Sequence, residues 1–340
     1  MNRPAEMASW LTAHSDKRRL YPDDVFFREA LADYRRLSPG AARGMADVAF
    51  LLLKPEAIVR RSGERILSFL RTHGYSVPGA RMLHVGRHAS RDLWRYQFNA
   101  APLSVMRAVD ILFDAAPAVC LAVAGDSGPA DGPAATRLAA HKGSHIHGIP
   151  AESLRGLLGS PTLVLNFVHA PDDPADVLRE LGVLLDPPGR REFLAVLLGC
   201  RSAERHETAE AVLQAAYDRH PAGDLDLAAS LARVERAATG PGERAIVADI
   251  GTMLRRPRGD EELMIPLDWL AAAPASATAW DRAVVAAFLV GHQRLVGPPL
   301  VETPPAEPPP AETPPAETPP APRAATETAT QAAAQAARPD

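Results

Sequence analysis

Leu163-Val164-Leu165-Asn166-Phe167-Val168-His169-Ala170-Pro171-Asp172-Asp173-Pro174 is the stretch on which the reading of this chain turns. An apolar run ends in a histidine, and an Asp/Pro turn follows. The run over 163–169 reads as a buried strand. Asp172 or Asp173 can cap a helix over 175–185, with Pro174 near its first turn. Glu180 lies on that helix, so its carboxylate can reach back to the His169 imidazole. A carboxylate on one ring nitrogen fixes the tautomer and leaves the other nitrogen nucleophilic. Single histidines at strand ends are common, so the residues alone leave a structural histidine open beside a catalytic one.

Upstream, short apolar runs alternate with helical patterns. Val48–Leu53 reads as a buried strand. Ser62–His73 reads as a helix, with Ile66, Leu67 and Leu70 on one face and Gly74 at its end. A second strand is expected around Arg81–Val85, helices over 90–99 and 103–113, and a strand over Ala118–Ala124. A Gly/Asp/Pro loop then spans 125–133. With the closing strand and helix, this order predicts an α/β (α+β) fold, a ferredoxin-like βαββαβ sandwich over residues 47–187.

The flanks differ in kind. Residues 1–46 read as a helical extension, with Val25, Phe26, Leu31 and Tyr34 at helical spacing and Ser38-Pro39-Gly40 as the stop. Pro187-Pro188-Gly189 marks a boundary. Residues 188–296 then read as nearly all helix and carry no motif with chemical meaning; a packing appendage or an interface is expected. From 297 to 340 the chain is Pro, Ala, Glu and Thr, too poor in large apolar side chains to offset its ordering entropy. A disordered tail with polyproline II character is expected, as a solubilising tether or a docking segment for a protein partner.

Composition narrows the class. The formal net charge over 340 residues is -4, and bulk charge therefore points to neither a nucleic-acid nor a membrane partner. Two cysteines form no framework, and Cys120 sits in an apolar run. The N-terminus has no apolar h-region, and no apolar run approaches the ~18 residues of a membrane span. A soluble cytoplasmic protein is expected. Lysine occurs only at Lys17, Lys54 and Lys142, while arginine is abundant. A lysine retained in such a chain calls for a reason. Lys54 follows the first strand directly, and Arg137, His141, Lys142 and Arg155 form a basic set that could cradle phosphates or simply be solvated.

Together these residues resemble the nucleoside diphosphate kinase family over about 140 residues, in order. Lys54-Pro55-Glu56-Ala57-Ile58-Val59-Arg60 is similar to that family's Lys-Pro-Asp-Gly-x-x-Arg signature. Asn166-Phe167-Val168-His169-Ala170-Pro171-Asp172 is similar to its Asn-x-x-His-Gly-Ser-Asp motif, with Glu180 in place of the orienting glutamate. Ser153-Leu154-Arg155-Gly156 resembles its Thr-Ile-Arg-Gly segment, and Arg137 matches a second phosphate-binding arginine. Tyr96, within about two residues, falls where the family has a tyrosine.

The resemblance implies ping-pong phosphoryl transfer. The γ-phosphate of a nucleoside triphosphate, with Mg²⁺, passes through a phosphohistidine at His169 to a nucleoside diphosphate or related acceptor. It implies His169, Glu180, Lys54 and Asn166 as catalytic groups, and Lys54, Tyr96, Arg137, Ser144, Arg155 and Asn166 as nucleotide contacts. Fixed cations and donors of this kind stabilise a transition state that spreads negative charge. The departures are Ala170-Pro171 for Gly-Ser, Glu56-Ala57 for Asp-Gly, and Leu157-Leu158 for Asp-Phe. A further one is the loop from His141 to Pro150, where Ser144 stands in for a threonine. That loop helps build the family's oligomer, so a homo-oligomer is an expectation without a stated size. His141, His145 and His147 lack a cysteine or carboxylate to complete a metal set, and no protein-held metal is expected. The altered loops keep a second reading open: a catalytically weak or inactive nucleotide-binding module with a regulatory or assembly role.

Overall fold

Val48–Leu53 (β1) and Ala118–Ala124 (β3) are the central strands of the computed structural model, which describes residues 10–125, 132–145, 148–200, 207–256, 258–272 and 278–293. Every residue of both strands is buried. Successive side chains of a strand point to opposite faces, so both faces of the sheet are covered. That is why these strands read as unbroken apolar runs. They pair antiparallel, Val48 opposite Ala124 and Leu53 opposite Val119. Ser76–Leu83 (β2) pairs with β3, and Val168–His169 (β4) with β1. The four-stranded sheet has the order β2-β3-β1-β4, antiparallel throughout, and with its many helices gives an α+β architecture.

Two helices precede the sheet, Ser15–Leu20 (α1) and Val25–Leu37 (α2). Pro55–Val59 (α3) and Gly63–Thr72 (α4) link β1 to β2. Arg87–Leu93 (α5), Arg95–Phe98 (α6) and Leu103–Ala115 (α7) link β2 to β3. Ala134–Lys142 (α8) and Leu154–Leu158 (α9) link β3 to β4, and Pro174–Leu184 (α10) follows. Helix α10 lies along α2 so closely that a Cβ on Gly182 would stand 2.4 Å from the Phe26 carbonyl oxygen. Only glycine fits that crossing.

Pro187–Leu197 (α11) packs on the sheet and α2. The Pro187-Pro188-Gly189 sequence, expected to punctuate, is the first turn of this helix, capped by the Asp186 side chain on Gly189 N. Proline costs nothing at a position whose N–H has no intrahelical partner. Ala209–Arg219 (α12) packs on β2, and Leu227–Ala237 (α13) and Pro241–Arg255 (α14) follow. Asp260–Ala271 (α15) and Ala279–Leu289 (α16) both pack on α7. No helix among the described residues is long and apolar enough to cross a membrane. The tail over 297–340 and His147 lie outside the described residues.

Three element boundaries depart from expectation. The second strand runs over 76–83 rather than 81–85. Pro78 and Gly79 disguise its first half, which is tolerated because β2 is an edge strand with a register shift there. The helix expected over 90–99 is broken at Trp94 into α5 and α6. The closing strand keeps only Val168 and His169 of 163–169, because the residues before them serve Lys54 instead, as described next.

Candidate active site

Lys54 caps the end of β1 and is 3% exposed. A buried ammonium needs a partner for each of its three N–H groups. Lys54 Nζ donates to the Val164 carbonyl, to Asn166 Oδ1 at 2.9 Å, and lies 3.2 Å from Glu56 Oε1. Its backbone N–H donates to the Phe167 carbonyl, and Phe167 N donates to Glu56 Oε1 at 2.7 Å. The segment 164–167 therefore wraps the lysine rather than extending the sheet, and Phe167 adopts a left-handed φ of 65° to do so. Burial pushes the Lys54 pKa down, with Glu56 opposing.

The chain returns to the sheet at His169, opposite Leu52. Asp173 caps α10 by accepting from Asp176 N, which aims that helix so that Glu180 meets the imidazole. His169 Nε2 and Glu180 Oε2 are 2.7 Å apart. On the other side of the ring, Trp94 Nε1 stands 3.4 Å from His169 Nδ1, with the indole edge-on at 5.5 Å between centroids. An indole N–H only donates, so this contact requires a bare Nδ1. The proton then sits on Nε2 and is donated to the Glu180 carboxylate. Burial, reinforced by Lys142 and Arg155, pushes the His169 pKa down to about 3, so the ring is neutral. Burial, with Asp176 and Asp172 adding to it, pushes the Glu180 pKa well above the ordinary carboxylate range.

Two cations close the surroundings. Lys142, at the last turn of α8, donates to the Ala170 carbonyl at 3.0 Å and lies 3.7 Å from Asp172 Oδ1. Arg155, on α9, donates to the Gly143 and Val168 carbonyls at 3.0 and 2.8 Å, while its Nε is buried without a hydrogen-bond partner. Burial lowers the pKa of both.

The structure thus gathers Lys54, Asn166, Arg155, His169 and Glu180 around β1 and β4. It holds Tyr96 elsewhere: the ring stacks on Tyr21, and the hydroxyl donates to Asp24. Arg137 lies over the Tyr75 ring and donates to the Gly125 carbonyl. Five residues separate it from Lys142 on α8, roughly 140° round the helix. Ser144 is half-buried in the loop after Gly143. The sequence reading does not name Trp94 as a contact of His169, and it brings in Lys142 only within the basic set with Arg137, His141 and Arg155. The helix break at Trp94 puts that ring, not Tyr96, against His169. For Lys142, the scarcity of lysine was the available signal, and all three lysines are buried. No group of three or more His, Cys, Asp or Glu able to hold a metal occurs among the described residues.

Among solved structures, the chain is similar to a nucleoside diphosphate kinase from Pyrobaculum aerophilum, at 18% identity and a TM-score of 0.32. The match covers 41% of this chain and 96% of that one. No family model matches the chain, and no curated protein matches its sequence.

Proposed function

We propose that this protein is a phosphotransferase of the nucleoside diphosphate kinase type, carrying a phosphoryl group on His169 Nδ1. The observation that carries the reading is the state of that histidine: neutral, with Nε2 held by Glu180 and a bare Nδ1. The strand order with helices between strands, which is that of a ferredoxin-like sandwich, supports it. In the first half-reaction the Nδ1 lone pair attacks the γ-phosphorus of a nucleoside triphosphate. The P–N bond forms, the bond to the bridging oxygen breaks, and the electron pair leaves on the β-phosphate. The positive charge that develops on the ring is met by Glu180 through the Nε2–H bond. The second half-reaction returns the group to a nucleoside diphosphate or related acceptor. Trp94 N–H must release Nδ1 before attack. Arg155, whose guanidinium donates to the Val168 carbonyl beside His169, has one unspent donor, the buried Nε, which local opening would have to expose before it could meet a phosphate oxygen. Mg²⁺ would arrive on the nucleotide's phosphate oxygens and neutralise charge there.

A second reading is favoured by Lys54. All three of its N–H groups are met by protein acceptors, so it has none to offer a phosphate without breaking a buried contact. On that reading the domain binds nucleotide with little or no turnover and serves regulation or assembly. Incubation with γ-labelled ATP and Mg²⁺, wild type beside His169→Ala, separates the two. Transfer chemistry gives an acid-labile, base-stable label in the wild type only. Nucleotide binding by calorimetry with no label would overturn transfer in favour of the binding module.

A further inference from the structure

The N-terminal segment is wired into the helix that carries Glu180. Lys17, on α1, is 1% exposed, and its ammonium sits between Asp173 Oδ2 at 2.9 Å and Asp176 Oδ2. Tyr21 donates its hydroxyl to Asp176 Oδ1, and Thr12 donates to Asp173 Oδ2 at 2.6 Å. Ala175 N donates to the Leu11 carbonyl. A turn further along α10, Arg179 donates to Asp24 and lies over the Tyr21 and Tyr96 rings. Asp176 is one turn before Glu180 on the same helix face.

A buried lysine between two carboxylates is costly unless all three charges are needed, and removing the cation would strand both anions. We propose that Lys17 is a positioning residue for the His169–Glu180 pair: by neutralising Asp173 and Asp176 behind Glu180, it keeps that carboxylate ionised and so keeps His169 Nδ1 bare. The inference rests on the phosphohistidine reading only for its activity readout. The charged groups that act most on Glu180 are Asp176 and Asp172, which favour its proton, and Arg179 and Lys142, which oppose it; His169, Tyr21 and Cys120 also feel its charge. Without Lys17 the acidic side of that balance gains. A protonated Glu180 donates to Nε2, the ring proton moves to Nδ1, and that nitrogen then faces the Trp94 N–H, donor against donor. The nucleophile is lost with no change in the number of groups present.

The test is the ring-nitrogen NMR spectrum of His169 across pH, together with the pH profile of its phosphorylation, in full-length wild type, Lys17→Met and Asp176→Asn. Methionine keeps the bulk of the lysine stem and removes the charge. The transition to an Nδ1–H ring is expected at higher pH in Lys17→Met and at lower pH in Asp176→Asn. A midpoint displaced by one pH unit changes phosphorylation about tenfold at any pH below the transition. Lys17→Met should recover as pH rises. A uniform loss at every pH, with the tautomer signature unmoved, would make Lys17 a structural residue only. Should Lys17→Met not fold, an unmoved transition in Asp176→Asn overturns the proposal by itself. A wild type that takes no label while the NMR transitions move as stated sinks the transfer reading and leaves the Lys17 inference standing.

Discussion

At the scale of single residues, the His169–Glu180 pair is a question of where one proton sits. His169 is held neutral down to about pH 3, so protonation of the ring cannot produce an acid limb near neutrality. Glu180, pushed well upward, can. The phosphorylation rate is therefore expected to fall on the acid side with a midpoint above the usual carboxylate range. Glu180→Gln keeps an acceptor for Nε2–H but removes the charge. It is expected to lower phosphorylation about 10- to 100-fold, to abolish the acid limb, and to leave nucleotide affinity nearly unchanged in calorimetry. An unaltered rate removes Glu180 from the mechanism.

His145 gives a stability counterpart. Burial, with Arg155 and Lys54 adding to it, pushes its pKa from 6.5 down to about 4, and its Nε2 meets Ser160 Oγ at 2.6 Å. The unfolded chain binds a proton there below 6.5 that the folded chain refuses until about 4. Stability from this residue is thus full above 6.5 and is lost as pH falls toward 4. His145→Gln is expected to flatten the pH dependence of the urea midpoint in that window; an unchanged slope would refute the assignment.

At the scale of elements, the question is what each end is tied to. Helix α10 carries its own cap in Asp173, and α2 carries Asp24, which accepts from Phe26 and Phe27 N–H groups. Both are visible as Asp before a helical pattern. Helix α7 follows Pro102, which offers no capping side chain. Its first N–H groups, of Leu103 and Ser104, donate instead to Asp260 at 3.0 and 2.9 Å, from the start of α15. No local pattern reveals a cap that lies over 150 residues away. Asp260→Ala is expected to cost about 1 kcal/mol in chemical denaturation, the ordinary value of a cap. Asp260→Asn, which retains an acceptor, should recover much of it.

At the scale of the whole molecule, the helices after β4 cover surfaces of the site-bearing half. Helix α12 lies on β2, with Tyr217 accepting Arg61 at its carbonyl and the Gly63 N–H at its hydroxyl. Helices α15 and α16 lie on α7, where Arg107 pairs with Asp268 at 2.9 Å. A fully buried Val or Leu is worth about 1.5–3 kcal/mol, against a total stability on the order of 5–15 kcal/mol. Several such side chains on α15 and α16 belong to the shared core, among them Leu263, Leu267, Leu270 and Val285. A chain ending at residue 197 is therefore expected to show no cooperative thermal unfolding. A sharp transition at the full-length temperature would show that the later helices add nothing to the earlier fold.

The periodic elements, and the chemistry written into consecutive residues, were legible along the chain. β1 and β3 appear as unbroken apolar runs because both faces are covered, and Asp173-Pro174 opens α10 because cap and proline act within one turn. The spacing of His169 and Glu180 was readable for the same reason, since a strand end and one helix set it. The rest depended on how the chain folds back on itself. Residues 163–167 have the composition of a strand, but the Val164 and Phe167 carbonyls and the Asn166 side chain are given to Lys54, because a buried ammonium outweighs two or three edge hydrogen bonds. Trp94 rather than Tyr96 meets His169 because a helix break rotates one past the other. Lys17 reaches Asp173 and Asp176 across more than 150 residues, and no pattern read along the chain encodes a contact made by folding it.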